Sequence, residues 1–189
     1  MLLLTLGLAL FTGTHLLLSL APEAVASRRA SLGENAVKGL IAVFSLAGMI
    51  LLVIGWRSSD VSWVYLPPPW LRLPGLVLVA LSIYLFVLAN RPSVVKRVLR
   101  HPQLTGLALW CAGHLMLNGE NRALLLFAWL GLWAVVEMLL INRREGAWQR
   151  ADAPPLATDI VTVVISIVAL IVLSLAHPWL AGVSIVSLP

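Results

Sequence analysis

Six long apolar runs, separated by short charged or proline-rich connections, constrain this chain more than anything else in it. They cover roughly residues 2–26, 37–56, 73–90, 103–118, 121–141 and 158–176. A helix needs about 20 apolar residues to cross the ~30 Å hydrocarbon core of a bilayer, and most of these runs are close to that length. Backbone N–H and C=O groups find no water at that depth, so such runs must close their hydrogen bonds internally as α-helices. The expected fold is therefore all-α: a polytopic membrane helix bundle of about six transmembrane helices, forming one domain over residues 1–189. The chain is 60% hydrophobic and only 11% charged, a balance that excludes an ordinary soluble domain.

The net charge of +5 does not point to nucleic acid, because the basic residues sit in the connections between runs. Ten of them fall on one side if the runs alternate: Arg28, Arg29, Lys38, Arg91, Lys96, Arg97, Arg100, Arg143, Arg144 and Arg150. Three fall on the other: Arg57, Arg72 and Arg122. The positive-inside rule then places the ten in the cytoplasm and both termini outside. The first run begins at Met1 with no basic leader and no small-residue cleavage site, so it reads as a retained helix. The segment RSSDVSWVYLPPPWLR (57–72) reads as an irregular interfacial loop. Asn118–Gly119–Glu120–Asn121 is a tight turn that predicts an antiparallel hairpin of the fourth and fifth helices. The tail after Ala176 is too short to span. A single cysteine, Cys111, excludes an intrachain disulfide and a CxxC site.

Two histidines lie inside apolar runs, where an ionisable side chain is costly and asks for a reason. They are His15 in the first run and His114 in the fourth. One reason is a hydrogen bond to a neighbouring helix. The sharper one is ligation of a metal, above all the iron of a haem held between helices. His15 lies thirteen residues before Arg28 and His114 thirteen after His101. At 1.5 Å per residue, an unbroken first helix puts both about 20 Å from the cytoplasmic side, as two axial ligands require. Gly7, Gly13, Gly106 and Gly113 flank the pair and serve either a macrocycle or close helix packing. Cys111, one turn before His114, is a candidate alternative ligand or a small apolar filler.

Lys96, Arg97, Arg100 and His101 cluster before the fourth helix, where charge and a helix N-terminus suit haem propionates or lipid phosphates. His177 stays unassigned, and two rival pairings, His15 with His101 and His114 with His177, rank below His15 with His114. Glu137, after Trp129 and Trp133 at helical spacing, is expected to pair with Arg143 or Arg144. No HExxH, GxGxxG, phosphate-binding loop or Ser–His–Asp arrangement is present.

The stretches THLLLS (14–19), LGENAVKGLIAVFSLAGMILLVIGW (32–56), RHPQLTGLALWCAGHLMLNG (100–119) and HPWLAGVS (177–184) resemble the NnrU family over essentially the whole chain. The most specific part is the spacing from RHP to GHLxxNG, carried by His101 and His114. The resemblance implies a protein of the bacterial inner membrane, associated with denitrification and nitric oxide metabolism. That family is similar to the plant 15-cis-zeta-carotene isomerase, which uses haem b. By that likeness His15 and His114 would ligate haem b, with Cys111 as alternate ligand, and a polyene or isoprenoid lipid would be isomerised from cis to trans. A weaker resemblance, through RHPxxxG and Asn142–Arg143–Arg144–Glu145–Gly146, is to isoprenylcysteine methyltransferases and membrane sterol reductases. It implies S-adenosylmethionine or NADPH at that motif, but the second glutamate of the later segment is missing.

Overall fold

A computed structural model describes residues 1–150, 152 and 154–183. Its described residues form seven α-helices: α1 (Leu2–Leu20), α2 (Pro22–Leu32), α3 (Glu34–Ser58), α4 (Arg72–Ala89), α5 (Pro102–Leu117), α6 (Asn121–Glu145) and α7 (Ala157–Ala181). Among these residues no β-strand forms, and one isolated bridge joins Trp63 and Glu120. Five helices are long and apolar enough to cross a membrane: α1, α3, α4 with its preceding 3₁₀ turn from Pro69, α6 and α7. The sixth expected span is α5, whose 16 residues rise only about 24 Å.

Proline and glycine set the boundaries. The first apolar run breaks at Ala21 (φ −129°, ψ 53°) instead of continuing to residue 26. Pro22 pushes the residue before it out of the helical region, then starts α2 at the position where its missing N–H costs nothing. Gly33, at φ 87°, makes the left-handed turn between α2 and α3. At the far end α7 runs through His177 and Pro178 to Ala181, so the first five residues of the segment read as a tail are helix. Ser184, the last residue of the HPWLAGVS stretch, lies outside the described residues.

The contacts gather into two compact units: Met1–Leu66 with Gly119–Gly146, and Pro67–Asn118 with Ala147–Pro189. In the first, α1 and α3 pack antiparallel through glycine. A Cβ on Gly7 would lie 2.6 Å from the Leu52 nitrogen, and one on Gly48 would lie 2.8 Å from that of Phe11. One on Gly55 would overlap the Leu4 backbone. Lipid tails are as apolar as leucine, so this close backbone approach, rather than hydrophobicity, selects the partner helix. α6 lies against α1.

The connection after α3 is latched to the start of α6. The Gly119 carbonyl accepts the N–H groups of Val64 (2.9 Å) and Tyr65 (3.3 Å), and Asn121 N–H donates to the Ser62 carbonyl (2.9 Å). Arg122 Nε pairs with Glu120 at 2.8 Å, donates from Nη1 to the Trp56 carbonyl at 3.1 Å, and lays its guanidinium 4.4 Å from the Trp56 ring centre. Residues 57–72 were expected to form an irregular interfacial loop; these hydrogen bonds hold its Ser62–Tyr65 stretch against the start of α6.

In the second unit α5 retraces α4. Gly106 sits against Ser82 and Leu85, and Gly113 against Gly75 and Val79, so α5 runs antiparallel back to the level where α4 begins. The helix is short, but it returns the chain alongside a full span. Within the two units the pairings are α5 with α4, and α6 with α1. α7 is tied to the end of α4 by Arg91 Nε donating to Thr162 Oγ1 (3.1 Å) and by Val94 N–H donating to Asp159 Oδ2 (3.2 Å).

Candidate functional site

The first unit carries His15 on a polar stripe of α1. Thr12, His15 and Ser19 stand at i, i+3 and i+7 and so share one helix face. Opposite them on α6, Trp129, Trp133 and Glu137 repeat every four residues. The His15 ring lies 4.8 Å from the Phe11 ring and 5.7 Å from Trp133, centre to centre, with Ser45 Oγ of α3 3.5 Å from Nε2. Trp129 Nε1 donates to Thr12 Oγ1 (3.2 Å), which donates to the Leu8 carbonyl (2.7 Å).

Glu137 is buried on this face, and its expected arginine partner reaches it only indirectly. Ser19 Oγ donates to Glu137 Oε1. Arg144 Nη1 donates to the Leu18 carbonyl at 3.1 Å and approaches Ser19 Oγ at 3.5 Å, while its direct ion pair is with Glu145. Glu137 Oε2 has no hydrogen-bond partner, nor has the indole N–H of Trp133. The period of 3.6 in Thr12, His15 and Ser19 was the signal that could have found this stripe in the sequence.

In the second unit His114 Nδ1 lies 2.8 Å from the Trp110 carbonyl. A carbonyl only accepts, so Nδ1 carries the proton and Nε2 presents the lone pair. Metal-binding histidines are commonly oriented this way, with the other ring nitrogen donating to a backbone carbonyl. His177 repeats the pattern, its Nδ1 2.6 Å from the Val183 carbonyl, and it lies within electrostatic reach of His114. Cys111 is buried one turn before His114, at 1% exposure.

The basic cluster sits at the opposite end of α5. Lys96 and Arg97 belong to a 3₁₀ turn, where Lys96 Nζ caps the Ala89 carbonyl at the end of α4 (2.7 Å). His101 is the N-terminal cap residue of α5, its carbonyl accepting from Thr105 N–H (2.9 Å), and Arg100 precedes it half-buried. His114 is thirteen residues further on, about 20 Å of helix rise. Beside this cluster Asp159 is buried with Oδ1 unpartnered, a feature the sequence reading did not single out.

The equal depth expected of the two histidines depended on an unbroken first helix. With the break at Ala21, His15 lies five residues, about 7.5 Å, from the end of α1, whereas His114 lies twelve, about 18 Å, from the start of α5. Three of the four flanking glycines are packing glycines: Gly7 meets α3, and Gly106 and Gly113 meet α4. Only Gly13 has open space beside it. Among the described residues no three or more His, Cys, Asp or Glu side chains gather into a metal site. A haem needs only two axial ligands, and the ring chemistry of His114 suits one of them.

Spanning helices joined by short connections, with histidines set inside two of them, define a multi-pass helical membrane protein. The model of the NnrU protein family matches residues 3–185, nearly the whole chain. The chain belongs to the NnrU family. No curated protein and no solved structure matches it.

Proposed function

We propose that this protein is a haem b-binding membrane protein of the NnrU type, with His15 and His114 as axial ligands. The observation that carries the reading is the Nδ1 bond of His114 to the Trp110 carbonyl, an arrangement that metal-binding histidines commonly adopt. His15 brings the second imidazole, set between Phe11 and Trp133. Both histidines stand in the stretches through which the chain resembles its family. When bound, haem would supply reversible one-electron chemistry, and the protein would supply position and electrostatics. Cys111 stands ready as an alternative ligand one turn from His114. Lys96, Arg97, Arg100 and His101, some 20 Å along α5 from His114, are assigned to lipid phosphates at the membrane surface. With the ten-residue basic side inward, the protein is placed in the bacterial inner membrane with both termini periplasmic.

Two roles fit such a protein: redox-controlled cis–trans isomerisation of a conjugated lipid, and an accessory part in nitric oxide metabolism or denitrification. A second ligand pair is also favoured by an observation, since His177 lies in the same unit as His114 and its Nδ1 likewise bonds a backbone carbonyl.

The test is the absorption spectrum of the detergent-purified protein, oxidised and dithionite-reduced, beside His15→Ala, His114→Ala and His177→Ala. Loss or shift of a sharp Soret band in the His15 and His114 variants alone supports the first pair. The same change in the His114 and His177 variants moves the second ligand to His177. A protein that stays colourless after haem is supplied sinks the reading. Polyene turnover against nitric oxide binding then separates the two roles.

A further inference from the structure

Where α1 meets α6 in the first unit, the two helices run parallel and in step. Thr12 meets Trp129, His15 meets Trp133, and Ser19 meets Glu137. His15 and Ser19 stand four residues apart on α1, as Trp133 and Glu137 do on α6. Glu137 therefore lies one turn beyond the level of His15, about 6 Å of helix rise. It is within electrostatic reach of that ring.

Glu137 carries a charge that nothing neutralises directly. It is 7% exposed. Arg144 Nη1 approaches Ser19 Oγ at 3.5 Å, which leaves the hydroxyl proton of Ser19 for Glu137 Oε1. The donors thus line up toward a carboxylate. Yet Oε2 has no partner, and among the described residues no cation forms an ion pair with Glu137. Arg144 stands behind Ser19 and pairs with Glu145 instead. By contrast Glu34 and Glu145 are exposed and paired, so water and salt screen them. A buried acid in a spanning helix is costly and asks for a role, and pairing does not supply one here.

We propose that Glu137 sets the reduction potential of the haem held through His15, lowering it by favouring the ferric state. Glu137 acts here through its field at His15, so the inference rests on His15 being an axial ligand. On reduction the iron gains one electron from an external one-electron donor and goes from ferric to ferrous. Its charge falls by one. A fixed negative charge one turn from the ligand favours the more positive of the two states. The effect is larger in a buried, low-dielectric setting than in water. Groups just behind a metal's ligands are general levers on its potential. Arg144, on the far side of Ser19, opposes the carboxylate and tempers its field.

The experiment is a spectroelectrochemical titration of the haem-loaded, full-length protein in detergent, with dithionite as the final reductant. Glu137→Gln keeps the shape of the side chain and removes the charge, and is expected to raise the midpoint potential. Glu137→Asp keeps the charge, and its potential should stay closer to the wild type than to Glu137→Gln. Arg144→Gln removes the opposing charge from a partly exposed site and should move the potential down. That variant lies at the surface, so it keeps the test open if the buried ones fail to fold. Retention of the wild-type Soret band shows that a variant is folded and loaded. An unmoved or lowered potential in Glu137→Gln, an equal rise in Glu137→Asp, or a rise in Arg144→Gln would each overturn the inference and leave haem binding in place. Haem held by His114 and His177 alone would overturn it too, and a protein that stays colourless overturns both readings.

Discussion

Replacing Gly119 with alanine tests whether the loop after α3 is built as the structure has it. A Cβ at this position would fall inside the Tyr65 carbonyl, far closer than any real side-chain carbon approaches a backbone oxygen. The neighbour is main chain and cannot swing aside, so the whole loop must move. That movement breaks the bonds from Val64 and Tyr65 N–H to the Gly119 carbonyl and strains the one from Asn121 to Ser62. Two lost hydrogen bonds at about 0.5–1.5 kcal/mol each, with about 1–3 kcal/mol for overpacking, give a destabilisation of about 2–6 kcal/mol. For a chain of this size that lowers the melting temperature by about 4–24 °C. The assay is thermal unfolding of the purified protein in detergent, read by circular dichroism. Gly13→Ala is the control, since a Cβ there meets nothing within 4 Å and alanine favours the helix by about 1 kcal/mol. If Gly119→Ala melts with the wild type, or Gly13→Ala falls as far, the reasoning is wrong.

Three further outcomes are expected. Glu120→Gln leaves Arg122, whose side chain is 13% exposed, without its charge partner, at a cost on the order of 3 kcal/mol by the same melting assay; an unchanged melt would show the pair to be idle. Gly55→Val drives a branched side chain into the Leu4 backbone and destabilises the α1–α3 contact by more than about 3 kcal/mol, whereas the same change at Gly13 does not. Burial raises the Tyr65 hydroxyl above its usual pKa, so the folded protein holds this proton more tightly than the unfolded chain. Its contribution is full below the ordinary tyrosine value near 10 and is lost as pH climbs above it. Stability measured across that range should fall more steeply in the wild type than in Tyr65→Phe, and equal slopes would remove Tyr65 from the account.

The helices themselves were legible in the sequence, because in hydrocarbon a long apolar run has no other way to satisfy its backbone. The break at Ala21 was also written there, in Pro22, but was overridden by the apolar residues on either side. His15 and His114 stood out because charge-bearing groups are rare in such runs. The surroundings of His15 did not: Ser45, thirty residues away, and Trp133, more than a hundred, reach it only through the pairing of α1 with α3 and α6. Glu137 was visible as a buried acid, yet its link to Ser19 needed that same pairing.

What the sequence alone determined is the approximate extent of the apolar helices and the isolated polar groups within them. What only the tertiary structure decided is which helix meets which. Apolar faces in a bilayer do not tell one another apart, so partner choice falls to close backbone contact at small residues and to a few hydrogen bonds. Gly7, Gly48 and Gly55 join α1 to α3, and Gly75, Gly106 and Gly113 join α4 to α5.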